Sequence, residues 1–142
     1  MAAALEEARR AASIGEVPVG AALFRSGVAV ARAHNETEAQ HDPTAHAELL
    51  AIRRALVELA ADRLTDCTIY VTLEPCAQCA GAIVLAKVGR VVFGAYDPKA
   101  GMAGSVGDLL RHASLNHHPE VIGGVDEAPC GRLLEAFFRE RR

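Results

Sequence analysis

The sequence predicts an α/β fold, and three observations carry that expectation. A strand pattern, a helical pattern and a second strand pattern follow one another between Thr68 and Ala95. A helix and a hairpin precede this unit, and a short strand and an amphipathic helix follow it, so helices and strands interleave along the chain. Of the 142 residues 51% are apolar, enough to bury a core, and no repeat, low-complexity tract or linker divides the expected single domain, residues 1–142.

The elements follow in order. Ala2 to Ile14 is alanine-rich, with Glu6 one turn from Arg10, and reads as a helix closed by Gly15. Val19–Phe24 and Val28–Ala33 are small or β-branched runs around Arg25-Ser26-Gly27, a hairpin whose glycine can take positive φ. Asp42-Pro43 resembles an N-cap and first-turn proline, opening a helix through Thr44, His46, Glu48, Leu49, Ile52, Leu56 and Leu59 that ends near Ala60. Thr68–Leu73 is then expected as a strand, Cys76–Lys87 as a helix and Arg90–Ala95 as a strand. Such a crossover joins parallel strands and starts its helix at the carboxyl edge of the sheet, where α/β proteins place ligands. The Pro75-Cys76 turn falls at that edge. Asp97–Gly107 reads as a glycine-rich loop, Ser105–His112 as a brief helix and Pro119–Ile122 as a last strand. Asp126 or Glu127 opens a terminal helix with Leu133, Leu134, Phe137 and Phe138 at helical spacing.

Charge and cysteine usage narrow the function. A net charge of −3 and a pI of about 6.1 exclude the general positive field of an indiscriminate nucleic-acid binder, so any such contact is local. Met1 to Arg10 carries Glu6 and Glu7 and no long apolar run, which is unlike a secretory signal, and no stretch is long enough to span a bilayer. The expectation is a cytoplasmic protein without a membrane partner. In a reducing compartment its four cysteines point to metal or redox chemistry before disulfides.

Cys76 and Cys79 stand three apart, so at the start of a helix they project to one side and can share an ion. The positive helix N-terminus favours the thiolates that zinc requires. His46 would make a third ligand, and three protein ligands leave the open position of a catalytic zinc site, whereas a structural site closes with four. Glu48 is the group to accept, hold and deliver a proton of the activated water. Residues two apart on a regular helix diverge, so either His46 lies in an irregular first turn or Glu48 reaches around. A bare Cys-x-x-Cys is also a redox motif, and Cys67 and Cys130 read as buried small hydrophobes outside the site.

His46-Ala47-Glu48 with Pro75-Cys76-Ala77-Gln78-Cys79 matches the signature of zinc nucleobase deaminases, bacterial tRNA adenosine deaminase among them. The chain also resembles the bacterial tRNA-specific adenosine deaminases along nearly its whole length. Glu16-Val17-Pro18-Val19-Gly20, Asp42-Pro43-Thr44-Ala45, Val71-Thr72-Leu73-Glu74, Gly89 to Ala95, Asp97-Pro98-Lys99-Ala100-Gly101 and Phe137-Phe138-Arg139 carry that resemblance. It implies a cytidine-deaminase-like three-layer α/β/α fold with a central mixed sheet of about five strands, a homodimer, and one zinc per subunit. The implied reaction is hydrolytic deamination of the wobble adenosine in a tRNA anticodon stem-loop to inosine, with Glu48 moving the protons. It further implies that Asn35 hydrogen-bonds the flipped base, that the Ala47 N–H contacts the reacting edge, and that Asp97 and Lys99 lie near the anticodon loop.

Read without the resemblance, Asn35 is a turn residue and Asp97 and Lys99 belong to a solvated loop. Arg139, Arg141 and Arg142 either bind phosphates or complement the helix dipole, and His117 and His118 are equally open. Gln78 and Tyr96 depart from the family pattern, where an apolar residue and an arginine are common. Gln78 is expected to point away from the metal, and Tyr96 could stack on a base. Competing functions are deamination of free guanine, cytosine or cytidine, a non-catalytic zinc-stabilised RNA-binding module, and a Cys-x-x-Cys redox protein.

Overall fold

A computed structural model describes residues 1–141, with Arg142 outside the described residues. Its elements are α1 (Ala2–Ser13), β1 (Gly20–Arg25), β2 (Val28–His34), α2 (Ala47–Glu58), β3 (Cys67–Leu73), α3 (Ala77–Leu85), β4 (Arg90–Ala95), β5 (Glu120–Ile122) and α4 (Glu127–Glu140). One five-stranded sheet runs in the order β2-β1-β3-β4-β5. β1 lies antiparallel to β2 and to β3, while β3, β4 and β5 are parallel, so the sheet is mixed. α1 and α4 touch each other, as do α2 and α3, and the two pairs cover opposite faces of the sheet. Leu23, Ile69, Val71, Ile83, Val91 and Phe93 fill the space between sheet and helices, the position expected for apolar residues of a sheet covered on both faces.

The hairpin turn is tighter than the sequence suggests. Ser26 and Gly27 both have positive φ, the two-residue geometry that matches strand twist, and after the turn the register shifts, leaving Val30 of β2 as a bulge opposite Leu23 and Phe24. β3 and β4 are parallel as the crossover predicts, and their carboxyl ends place Glu74-Pro75-Cys76 beside Asp97.

Four local expectations are overturned. α2 begins at Ala47, four residues later than the Asp42-Pro43 signal implies. Asp42 instead closes a tight turn, accepting the Thr44 N–H at 2.8 Å and the Thr44 hydroxyl at 2.6 Å, which is the same local bonding used by an N-cap. Ser105–His112 forms turns around a bridge between Ala103 and Asp108, because a buried carboxylate takes backbone N–H groups of this segment. Glu6 pairs with Arg32 of β2 at 3.0 Å, not with Arg10, because α1 lies across the hairpin; Arg10 meets Glu7 instead. Finally, α3 ends at Leu85 and Lys87 has positive φ, so the helix stops before the predicted Lys87.

Candidate active site

Two helices start at one place. His46 precedes α2 with φ −81° and ψ 149°, and Cys76 precedes α3 with φ −76° and ψ 179°, both extended N-cap conformations. His46 is therefore outside the helix, and its side chain is not forced away from that of Glu48 by helical geometry. His46 stands just before the first turn and not within an irregular one. Cys76 Sγ lies 3.5 Å and Cys79 Sγ 3.6 Å from His46 Nδ1. The three ligand atoms fall within 4.8 Å of one another and could hold a metal ion, and no other such group exists among the described residues. Cys67 and Cys130 are buried elsewhere, each thiol pushed up to about 11 chiefly by burial, in keeping with the reading as small core residues.

The electrostatics of the cluster are uneven. The Cys76 thiol is drawn down to about 3, first by the hydrogen bond from Cys79 and then, against a cost of burial, by the His46 ring. Cys79 is raised by the same hydrogen bond and by its burial. His46 is raised, mainly by its hydrogen bond to Cys76. Glu48 is 4% exposed, and burial pushes its carboxyl up to about 7.

Val17, Val19, Asn35, Thr37, His46, Glu48, Leu73, Glu74, Cys76, Asp97 and Ala100 line a pocket of about 290 Å³. Asn35 and Ala47 are brought together: Asn35 Oδ1 accepts the Ala47 N–H at 2.9 Å, which caps α2 where His46 gives no side-chain cap. Asp97 lies at the rim, its Oδ1 accepting the N–H groups of Lys99 and Ala100. Lys99 is exposed and faces a neighbouring groove of about 710 Å³, shared with Tyr96, Phe138 and Arg139.

Sequence reasoning missed two buried carboxylates. Glu16 is 1% exposed and accepts the N–H groups of Glu38 and Ala39 and the Thr37 hydroxyl, so it ties down the segment after Asn35. Glu74 is equally buried; burial alone would raise its carboxyl, but hydrogen bonds from Ser105, Asp97 and Ala103 hold it below its usual value. The available signal was an acid set directly against an apolar strand run, before Val17 and after Leu73.

The profile of the MafB19-like deaminase family matches residues 1–142. The chain is 51% identical to the tRNA-specific adenosine deaminase of Bacillus subtilis over 142 residues, 100% of this chain and 88% of that protein. The chain belongs to the bacterial tRNA-specific adenosine deaminase family. A structure from studies of A-to-I editing by tRNA:A34 deaminases has a TM-score of 0.91 at 42% identity, covering 94% of this chain and 97% of that chain. The guanine deaminase of Bacillus subtilis has a TM-score of 0.64 at 31% identity, covering 97% of this chain and 88% of that one.

One residue of this deaminase departs from expectation, and others that the sequence leaves open find places. Gln78 does not point clear of the cluster: its Nε2 donates to the Thr44 carbonyl at 3.0 Å and reaches Cys79 Sγ at 3.8 Å, joining the two ligand-bearing segments. Tyr96 packs edge-on against Phe93 at 5.1 Å and remains half exposed in the groove. Arg141 lies over the Phe137 ring at 3.5 Å and donates to the Phe137 carbonyl, whereas Arg139 lines the groove; Arg142 is not described. His117 and His118 bond the carbonyls of Val88 and His112, which are structural contacts.

The raised Glu48 carboxyl has a consequence for stability in metal-stripped protein. The fold favours the neutral acid, so its stabilising effect is complete below about 4.5, the ordinary value of the group, and is lost as pH rises through about 7. Glu48→Gln should therefore stabilise the apoprotein relative to wild type at pH 8 by on the order of 1–3 kcal/mol, and leave it nearly unchanged at pH 4. Urea unfolding at the two pH values measures this. An equal difference at both would show that burial does not perturb Glu48.

Proposed function

We propose that this deaminase hydrolyses the exocyclic amine from the wobble adenosine of a tRNA anticodon loop, giving inosine and ammonia. The observation that carries the reading is the joint placement of three metal-ligand atoms and a buried Glu48 on one small pocket, in a chain of this family. The donor set suits zinc. Bonds of about 2.3 Å to sulfur and about 2.0 Å to nitrogen, set at a tetrahedral angle, separate the two atoms by about 3.5 Å. The sulfur–nitrogen distances of 3.5 and 3.6 Å agree with that value. His46, Cys76 and Cys79 would hold one zinc per subunit. When bound, zinc supplies the positive charge that acidifies a water and polarises the reacting carbon.

Glu48 would take one proton of the attacking water and pass it to the purine ring nitrogen, then carry the second, from the hydroxyl now on the reacting carbon, to the departing amine as the carbonyl of inosine forms. A carboxyl near 7 suits both directions of transfer at neutral pH. Asn35, whose Oδ1 holds Ala47, presents Nδ2 to the flipped base. The Ala47 N–H contributes by fixing Asn35 and by sharing its proton with the reacting edge. Asp97 and Lys99, at the rim and in the adjoining groove, would meet nucleotides flanking the target. Residues 1–142 act as a single deaminase domain. No described helix is long and apolar enough to cross a membrane. Action on tRNA would take place in the cytoplasm.

A second reading, deamination of free guanine, is favoured by the likeness to the Bacillus subtilis guanine deaminase. Zinc-loaded protein is expected to convert a stem-loop bearing a wobble adenosine, and not free guanine, cytosine or cytidine at the same enzyme concentration. Turnover of guanine with none on the stem-loop would put the second reading in place of the first. Glu48→Ala should keep one zinc per chain and lose at least about a hundredfold in rate.

The homodimer implied by the resemblance has a surface to form on. Val57 on α2 and Leu85 on α3 are each 82% exposed, on helices that pack side by side. A second copy seated on these two helices would bury both side chains. Light scattering should give twice the 15.0 kDa chain mass. A monomer at assay concentrations would remove the dimer from the account.

A further inference from the structure

The chemistry above gives Glu74 no task, although no side chain near the pocket is more heavily bonded. It is 1% exposed, and none of the described ion pairs includes it. Its Oε1 accepts the Asp97 N–H at 3.0 Å and the Ser105 hydroxyl. Its Oε2 accepts the N–H groups of Ala103 and Ser105, each at 3.0 Å. All four donors belong to the loop from 97 to 105. The loop closes so tightly on the carboxylate that a Cβ on Gly101 would lie 2.3 Å from the Glu74 carboxyl carbon. Backbone bonds extend the junction on both sides: the Glu74 N–H donates to the Ala95 carbonyl and the Met102 N–H to the Pro75 carbonyl, both at 2.8 Å.

The placement of this anchor matters because of what lies at each end of it. Glu74 stands two residues before Cys76, so its main chain runs directly into the metal-ligand turn. The loop it gathers supplies Asp97 and Ala100 to the wall of the pocket. His46, Glu48 and Cys79 reside on or beside α2 and α3 and not on this loop. A buried anion satisfied only by backbone N–H and a hydroxyl has no other favourable arrangement, so loop and ligand turn are held as one body.

We propose that Glu74 is a positioning residue that sets substrate affinity, by fixing the 97–105 loop as the pocket wall against which the target nucleotide is placed. This rests on the reading of the pocket as a nucleobase deaminase site. A residue that merely kept the fold intact would lower stability, zinc content and rate together. A positioning residue acts on KM and spares kcat, because His46, Glu48 and Cys79 are held by other elements and Cys76 is fixed by the start of α3.

Two variants test this in the full-length, zinc-loaded protein. Glu74→Gln keeps one acceptor oxygen and turns an NH2 towards backbone donors. Ser105→Ala removes only the hydroxyl and is the milder change. Zinc per chain, KM and kcat on the anticodon stem-loop, and hydrogen exchange of the loop amides are measured for both. For Glu74→Gln the expected result is one zinc per chain, KM raised about tenfold or more, kcat within about threefold, and faster exchange at Ala103 and Ser105. Ser105→Ala should move KM in the same direction by less, and decides alone if Glu74→Gln does not fold. An unchanged KM, or a loss of kcat and zinc without a change in KM, overturns the proposal. If wild type acts on free guanine and not on the stem-loop, the same constants are read on guanine. Failure of the substrate assignment and failure of the Glu74 role are thereby separated.

Discussion

The convergence of two helix starts is the constraint on which the site depends. α2 and α3 lie side by side on one face of the sheet and begin at the same edge, each with an extended residue whose side chain projects past the helix end. Those two residues are His46 and Cys76. Because Cys79 follows in the first turn of α3, three ligand atoms meet without any long side chain having to bend. The first-turn N–H groups of two helices also point at this spot, which favours the negative charge of thiolates. Neither N-cap residue caps its own helix, and for α2 the missing bond comes from Asn35 across the pocket. The pocket wall and the helix start are thus stabilised by one hydrogen bond.

Around this centre the loops are held by buried acids. Glu16 gathers the turn that carries Thr37, and Glu74 gathers the loop that carries Asp97, each using backbone N–H groups where a cation would be the commoner partner. Backbone donors are numerous at such turns and fixed in direction, so a carboxylate that accepts them orders a loop more completely than an ion pair with a long, mobile side chain would. Glu48 is the contrasting case. It is buried with too little hydrogen bonding to keep it ionised at acidic pH, and its carboxyl rises to about 7. Three buried acids within one small region therefore divide into two that gather loops and one, Glu48, that meets few donors.

The order of strands and helices was legible because alternation and helical spacing are local patterns, and the ligand set was legible because zinc chemistry demands particular residues at particular separations. What escaped was set by distant partners. Asp42 looked like a helix cap because turns and caps use the same carboxylate-to-N–H bond over two or three residues, and only the extended conformation of His46 distinguishes them. The segment from Ser105 to His112 has helical composition, but Ala103 and Ser105 give their N–H groups to Glu74, some thirty residues away. Glu6 was assigned to Arg10 on helical spacing and is drawn off by Arg32 of the hairpin beneath it. Helical spacing points Gln78 away from the metal, but its long amide side chain is drawn to the Thr44 carbonyl of the neighbouring segment, which local spacing does not reveal. Substrate identity was read from family resemblance and not from any one residue.

The central claim is that three protein groups bind the metal and leave one position for water. X-ray absorption at the zinc edge of the loaded protein tests it most directly. The account predicts two sulfur neighbours at about 2.3 Å and two nitrogen or oxygen neighbours at about 2.0 Å. It also predicts that one of the light neighbours is exchangeable and is displaced by a purine analogue bearing a group that can bind the metal. A shell of three sulfurs, or one that no ligand perturbs, would mean a closed structural site and would contradict the account.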